Sequence, residues 1–123
     1  MILREIPREG GTSPWGVIQS VRVVVEHELY FASTSSHGGY WVGTRLLNLL
    51  PEVARETPYS KGGWFEEDCD AAIPYAFLPA DLIGNPEAGS IERARATILS
   101  PHFHMPEVKQ ALEQVIANEW SEG

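Results

Sequence analysis

The first half of the chain shows the two-residue alternation of side chains that is typical of β-strands. Val21, Val23 and Val25 would share one face of a strand. Residues 29–34 and 40–42 form two further runs rich in aromatic and β-branched residues. The polar turns between these runs are too short for a parallel crossover. We therefore predict a small antiparallel three-stranded meander over about residues 17–42.

The second half of the chain instead shows helical spacing. Acidic residues that suit a helix N-terminus are followed by apolar residues at intervals of three and four, which predicts a helix over residues 64–78. Pro74 lies inside this stripe and predicts a kink or an early end. Three further helices are predicted: a short one from Thr44, one over 91–99 capped by Ser90, and one over 106–120. The predicted class is α+β, with three to four helices packed on one face of the sheet.

Length and composition indicate one soluble domain. The 123 residues are close to the commonest size of a single domain, with a flexible segment (1–13), a central region (14–83) and a helical C-terminal extension (84–123). One cysteine excludes an internal disulfide. No apolar run approaches the roughly 20 residues of a membrane span, and the N-terminus lacks the apolar core of a secretion signal. We therefore expect a cytoplasmic protein without membrane contact.

Acidic residues outnumber basic ones, and the formal net charge is −8. The excess is concentrated in residues 52–81 and in the C-terminal helix from Glu107 onward. Proteins that bind nucleic acids neutralise phosphates with Lys and Arg, so we expect no direct nucleic-acid binding. An acidic face from either segment can instead associate with a basic surface of a host protein or ribonucleoprotein complex.

A histidine stands before two glycines at residues 34–39, which read Thr-Ser-Ser-His-Gly-Gly. His37 can act as a general base or a metal ligand, and the glycines can expose N–H groups to an oxyanion. A strand-connecting turn accounts for the same residues without any chemistry. Cys69 as a nucleophile with His37 as its base is disfavoured, because the flanking Asp68 and Asp70 oppose formation of a thiolate.

Residues 62–70 are the most unusual stretch, with two glycines and two aromatics followed by the acids Glu66, Glu67, Asp68 and Asp70. Carboxylates are the ligands that Mg²⁺ and Ca²⁺ prefer. One hypothesis places a cation on His37, Glu66 and Asp70. Its catalytic groups would then be His37, Glu66 and Glu67. However, the spacing matches no EF-hand loop or metallopeptidase helix, and on a helix the acids diverge. We therefore expect no cofactor.

Aromatic residues cluster in sequence around the glycine turns and the acidic run. Most aromatic side chains of a small domain belong to its core. An exposed Trp or Tyr beside acids is, however, a natural hot spot for a binding partner. The predicted partner-binding residues are two aromatics and four acids: Trp64, Tyr40, Glu66, Glu67, Asp68 and Asp70.

Four short motifs occur in order within residues 14–83: Trp15-Gly16, Gln19-Ser20, residues 34–39 and residues 63–70. This succession resembles an uncharacterised domain-of-unknown-function family of plasmid, phage and integrative-element proteins, whose pattern is WG…QS…TxSHGG…GWYEEDC. The resemblance implies an origin in a mobile genetic element and carries no established activity. Pro74 departs from the family pattern, and the segment from residue 84 onward is not matched by it.

Three functional hypotheses follow from these observations. The first is a non-enzymatic acidic module of a mobile genetic element, which inhibits a bacterial defence complex in the manner of an anti-CRISPR by blocking a basic nucleic-acid-binding surface. The second is a metal-assisted hydrolase or nuclease that uses His37 with Glu66, Glu67 and Asp70. The third is an accessory structural interaction domain. Small size, acidic segments and the lack of catalytic spacing favour the first, acting in the bacterial cytoplasm as a monomer or homodimer.

Overall fold

A computed structural model describes residues 5–55, 57, 62–67, 70–83 and 86–122 of the chain. This part contains a two-stranded sheet and a four-stranded sheet, both antiparallel, with the strands β1 (Thr12–Ser13), β2 (Gly16–Val17), β3 (Ser20–Val25), β4 (Leu29–Ser33), β5 (Gly38–Val42) and β6 (Trp64–Glu66). β3 to β6 are neighbours in chain order. The α+β class is confirmed, but a meander of only three strands is wrong because β6 pairs with β5.

Residues 64–66 form a strand where the spacing predicted the first turn of a helix. Gly62 and Gly63 precede the strand with φ angles of 62° and 85°, a left-handed conformation that glycine adopts without strain. The N–H of Val42 donates to the carbonyl of Gly63 at 2.8 Å, so the chain turns back along β5. Phe65 thereby becomes fully buried, and this burial explains why the segment pairs as a strand instead of opening a helix.

Six helices occur in the described part of the chain: α1 (Thr44–Leu47), α2 (Glu52–Arg55), α3 (Ala72–Phe77), α4 (Ala80–Ile83), α5 (Ser90–Leu99) and α6 (Pro106–Glu122). The helices expected over residues 91–99 and from Pro106 onward are confirmed, the first beginning one residue earlier, at Ser90. Among the residues described, none of the helices combines the length and the apolar character needed to cross a membrane.

The helix observed within the predicted range 64–78 is shorter than the apolar stripe that predicted it. α3 begins only at Ala72, which places Pro74 in the first turn, where a missing N–H leaves no helical hydrogen bond unmade. The carbonyl of Pro74 accepts the N–H of Leu78 at 3.0 Å, and its ring is buried. Pro74 therefore continues the helix, and the interruption expected there is wrong.

The main core lies between the helices and one face of the four-stranded sheet. The sheet contributes fully buried side chains from three strands: Leu29, Val42 and Phe65. The helices contribute residues that include Leu46, Ile73, Ile98 and Leu112. Burial of side chains of this size stabilises a fold by roughly 2 kcal/mol each.

The N-terminal segment packs on the opposite face of the same sheet. Trp64 precedes Phe65 in β6, so its side chain lies on the face away from the helices. Trp15 packs edge-on against Trp64, with ring centroids 5.4 Å apart, and Ile18 is almost completely buried. Both faces of the sheet are therefore partly covered.

Gly39 lies where the N-terminal segment approaches the β5–β6 pair. A Cβ atom at this position would overlap the carbonyl oxygen of Phe65 and lie 2.5 Å from the ring of Trp15. We expect Gly39→Ala to lower the free energy of unfolding by about 3 kcal/mol or more, because backbone atoms would have to move. Urea denaturation followed by tryptophan fluorescence measures the loss.

The neighbouring Gly38 provides the matched control. A Cβ there would have the Phe31 ring at 3.1 Å and the Ala32 carbonyl oxygen at 3.2 Å, so we expect Gly38→Ala to cost only about 1 kcal/mol. Equal losses for the two variants would contradict the role assigned to Gly39.

Candidate functional site

Pairing of β5 with β6 brings the two glycine-containing motifs together. Gly39 and Glu66 are partners in the strand register, and the N–H of Glu67 donates to the carbonyl of Gly38 at 2.8 Å. Residues that lie 27 positions apart in sequence thereby become neighbours at one end of the sheet. The two motifs form one structural unit.

A hydrogen-bonded turn fixes the backbone of His37. The hydroxyl oxygen of Thr34 accepts the N–H of His37 at 3.1 Å and donates to the carbonyl of His37 at 2.8 Å. The N–H of Thr34 donates to that carbonyl as well, at 2.8 Å. These bonds are the turn chemistry expected of a Thr-Ser-Ser-His sequence, and they hold the backbone of His37 directly before β5.

The imidazole of His37 meets the carboxylate of Glu66. The His37 Nδ1 and Glu66 Oε1 atoms lie 3.3 Å apart, with 46% of the histidine side chain and 19% of the glutamate side chain exposed. A histidine–carboxylate pair of this kind can orient the ring and exchange a proton with a bound molecule. Two of the sequence-predicted site residues are therefore brought together at the surface.

Asp70 has a structural position. Its side chain is fully buried, and its carboxylate accepts the backbone N–H of Glu66 at 2.9 Å and the hydroxyl of Thr57. Its own N–H donates to the carbonyl of Glu66 at 3.0 Å. Asp70 thus closes the turn that follows β6 by accepting the backbone N–H of Glu66, and its carboxylate is buried.

The remaining predicted site residues that the structure describes differ in their burial and contacts. Glu67 is exposed, whereas Trp64 and Tyr40 are half-buried, against Trp15 and Tyr75 respectively. Asp68 and Cys69 lie outside the residues that the structure describes. Within the described ranges, no group of three or more His, Cys, Asp or Glu residues is placed to hold a metal ion.

A groove of about 850 Å³ lies on the helix-facing side of the sheet and was not identified from the sequence. Arg22, Tyr40, Tyr75 and Arg93 all line it. Burial raises the pKa of the Tyr75 hydroxyl to about 12, and Tyr40 adds to this shift while Arg22 opposes it. Strand alternation could place Arg22 and Tyr40 on one face of the sheet. No sequence pattern indicated that α3 and α5 would pack beside that face.

Removal of the Asp70 carboxylate should destabilise the protein. Asp70→Ala leaves the Thr57 hydroxyl and the Glu66 N–H without their acceptor in a buried site, and we expect the free energy of unfolding to fall by about 3 kcal/mol. Asp70→Asn, which keeps one acceptor oxygen, should lose about half as much. The exposed Asp81→Asn is the control, and a loss from Asp81→Asn as large as that from Asp70→Ala would contradict the assignment.

The comparisons with known proteins identify a family and nothing more specific. No curated protein and no solved structure matches the chain significantly. A family model described as "Domain of unknown function (DUF7007)" matches residues 8–122, which include the C-terminal segment as well as both motifs. Because this match covers nearly the whole sequence, the chain belongs to the DUF7007 family of domains of unknown function.

Proposed function

We propose that this chain is a non-enzymatic protein-binding module of a mobile genetic element. In this proposal it acts in the bacterial cytoplasm and inhibits a defence complex by covering a basic surface that otherwise holds nucleic acid. The contact surface is the outer side of α6, where an exposed tryptophan stands among acidic residues. We place the contact on α6 and not on the acidic run around Glu66, because Asp70 is buried and Glu66 faces His37.

The exposure of Trp120 is the observation that carries the proposal. Trp120 has 83% of its surface exposed, the largest fraction among the exposed large apolar residues that the structure describes. Tryptophan is among the residues most enriched in the hot spots of protein interfaces, where removing a single side chain often costs 2 kcal/mol or more. An indole that is 83% exposed contributes little to the isolated fold, so contact with a partner gives it a role.

A salt bridge fixes the end of α6 that carries Trp120. Arg95 donates to both carboxylate oxygens of Glu119, at 2.8 and 2.9 Å, and to the carbonyl of Ala76 at 3.0 Å. This pairing lowers the pKa of Glu119 and raises that of Arg95. The helix end that carries Trp120 is therefore held to α3 and α5, and a backbone that is already ordered loses less entropy on binding.

The charge of α6 suits a basic partner. From residue 107 onward the sequence has four acids and one lysine, and Glu107 and Glu113 are exposed. Glu113 lies seven positions before Trp120, which is about two helical turns, so the two residues share one side of the helix. Complementary charge accelerates association and makes it sensitive to salt.

Capture from a bacterial lysate tests the contact surface. We expect immobilised protein to retain a basic nucleic-acid-binding complex, and Trp120→Ala to weaken retention about 30-fold, which corresponds to the loss of a hot spot. Glu113→Gln should make the complex elute at lower salt. Mass spectrometry with stepped KCl elution gives both readouts.

Two matched variants control for nonspecific effects. Val17→Ser removes an apolar side chain that is 60% exposed elsewhere on the surface, and Glu9→Gln removes an exposed charge near the N-terminus. Both should retain the complex as the original chain does. Undiminished capture by Trp120→Ala, or capture that disappears after nuclease treatment, would refute binding through α6.

A second candidate function is supported by the pair of His37 and Glu66. Their 3.3 Å separation is close to the distance at which a carboxylate orients an imidazole base. In this candidate a divalent cation supplied from solution would be held with the help of Glu66 and would activate water.

Calorimetric titration with Mg²⁺, Mn²⁺ and Zn²⁺ separates the two candidates. The hydrolase predicts binding at millimolar metal or tighter, and loss of that binding in His37→Ala and Glu66→Gln. His102→Ala, which changes an exposed histidine elsewhere, should bind metal as before. If none of the three ions binds at millimolar concentration, the metal-assisted hydrolase is excluded.

A further inference from the structure

The groove between the sheet and α5 has the dimensions and the lining of a small-molecule site. Its volume of about 850 Å³ falls within the range of roughly 300–1,000 Å³ for such sites. Arg22, Phe31 and Tyr40 are successive partners across β3, β4 and β5 and line one wall. Tyr75 and Arg93 contribute from α3 and α5.

The two arginines of this groove make no salt bridge within the described part of the chain. Arg45 and Arg95 are paired with Glu28 and Glu119. Arg22 instead lies over the ring of Phe31, 5.5 Å from its centroid, and Arg93 donates to the carbonyl of Ala88 at 3.3 Å. In a chain of net charge −8, two guanidinium groups at one groove retain donors for an oxyanion.

Aromatic rings and a protonated phenol complete the lining. The ring centroids of Phe31 and Tyr40 lie 5.0 Å apart, and those of Tyr40 and Tyr75 lie 5.4 Å apart. The Tyr75 hydroxyl is protonated at neutral pH, as an ordinary tyrosine is, and burial raises its pKa further, to about 12. The groove can therefore offer ring faces to a planar group and a hydroxyl donor beside them.

Two carboxylates restrict the kind of anion that fits. Glu67 and Glu87 also line the groove, and their charges disfavour a ligand that carries only negative groups. They can accept hydrogen bonds from amino or hydroxyl groups. A suitable ligand combines one oxyanion, a planar ring and hydrogen-bond donors.

We propose that this groove binds a nucleoside monophosphate, with its phosphate on Arg22 and Arg93 and its base against the tyrosine rings. Amino and ribose hydroxyl groups of the nucleotide would donate to Glu67 and Glu87. This site is separate from the contact surface on α6, because Trp120 does not line the groove. The two proposals therefore stand or fall independently.

Titration of the purified protein with AMP, GMP, CMP and UMP, followed by calorimetry and NMR, tests the proposal. We expect at least one nucleotide to bind with a Kd below about 1 mM, and Arg22→Gln and Arg93→Gln each to weaken binding at least tenfold, as loss of a charge-assisted hydrogen bond does. Arg8→Gln, an exposed arginine outside the groove, and Trp120→Ala should bind as the original chain does.

Further probes separate the sources of the phosphate and the ring. The parent nucleoside without phosphate, and inorganic phosphate alone, should each bind at least tenfold more weakly than the nucleotide. Tighter binding of a 5′-phosphorylated oligonucleotide would show that the groove holds a nucleic-acid end, and would overturn the proposal. No binding of any of the four nucleotides at 5 mM (about fivefold above the weakest expected Kd), or equal weakening by Arg22→Gln and Arg8→Gln, would overturn it too. Melting temperatures of all variants confirm that each remains folded.

Discussion

At Gly39 the backbone of β5 comes so close to the Phe65 carbonyl and the Trp15 ring that no side chain fits between them. This approach allows β6 to pair with β5 on one side while the N-terminal segment packs over the sheet. The pairing turns Phe65 into the core and Glu66 toward His37. The core and the candidate site therefore depend on one residue whose contribution is the absence of a Cβ.

The strands and helices that follow a single local periodicity were predictable. The valines of β3 indicate a strand, and α6 repeats its apolar residues at helical spacing, so neighbouring residues alone indicate each element. The single face predicted for Val21, Val23 and Val25 is wrong, because the register shift between Val23 and Val25 pairs Val25 with Leu29 and places it against the main core. β6 was not predictable in this way. Its three residues precede acids that are equally suited to a helix N-terminus, and only pairing with β5, a contact distant in sequence, decides between the two conformations.

The candidate site shows the same division between local and distant information. His37 and Glu66 stand out as residue types, but their 3.3 Å contact requires the β5–β6 register. Asp70 belonged by sequence to the acidic run, whereas in the fold it is a buried acceptor for Thr57 and Glu66. The arginines of the groove come from β3 and α5, and no motif links them. The sequence patterns thus indicated which residues could belong to a site, whereas their contacts and burial depend on tertiary packing.

The position of β3 at the edge of the four-stranded sheet has a consequence for the behaviour of concentrated solutions. A valine-rich edge strand offers unpaired backbone groups to another molecule and invites fibrous association. Two features oppose this: the register irregularity between Val23 and Val25, and the exposed charge of Arg22 in the middle of the strand. Neutralising Arg22 therefore removes a safeguard against self-assembly as well as a groove cation, and such a variant is best handled dilute.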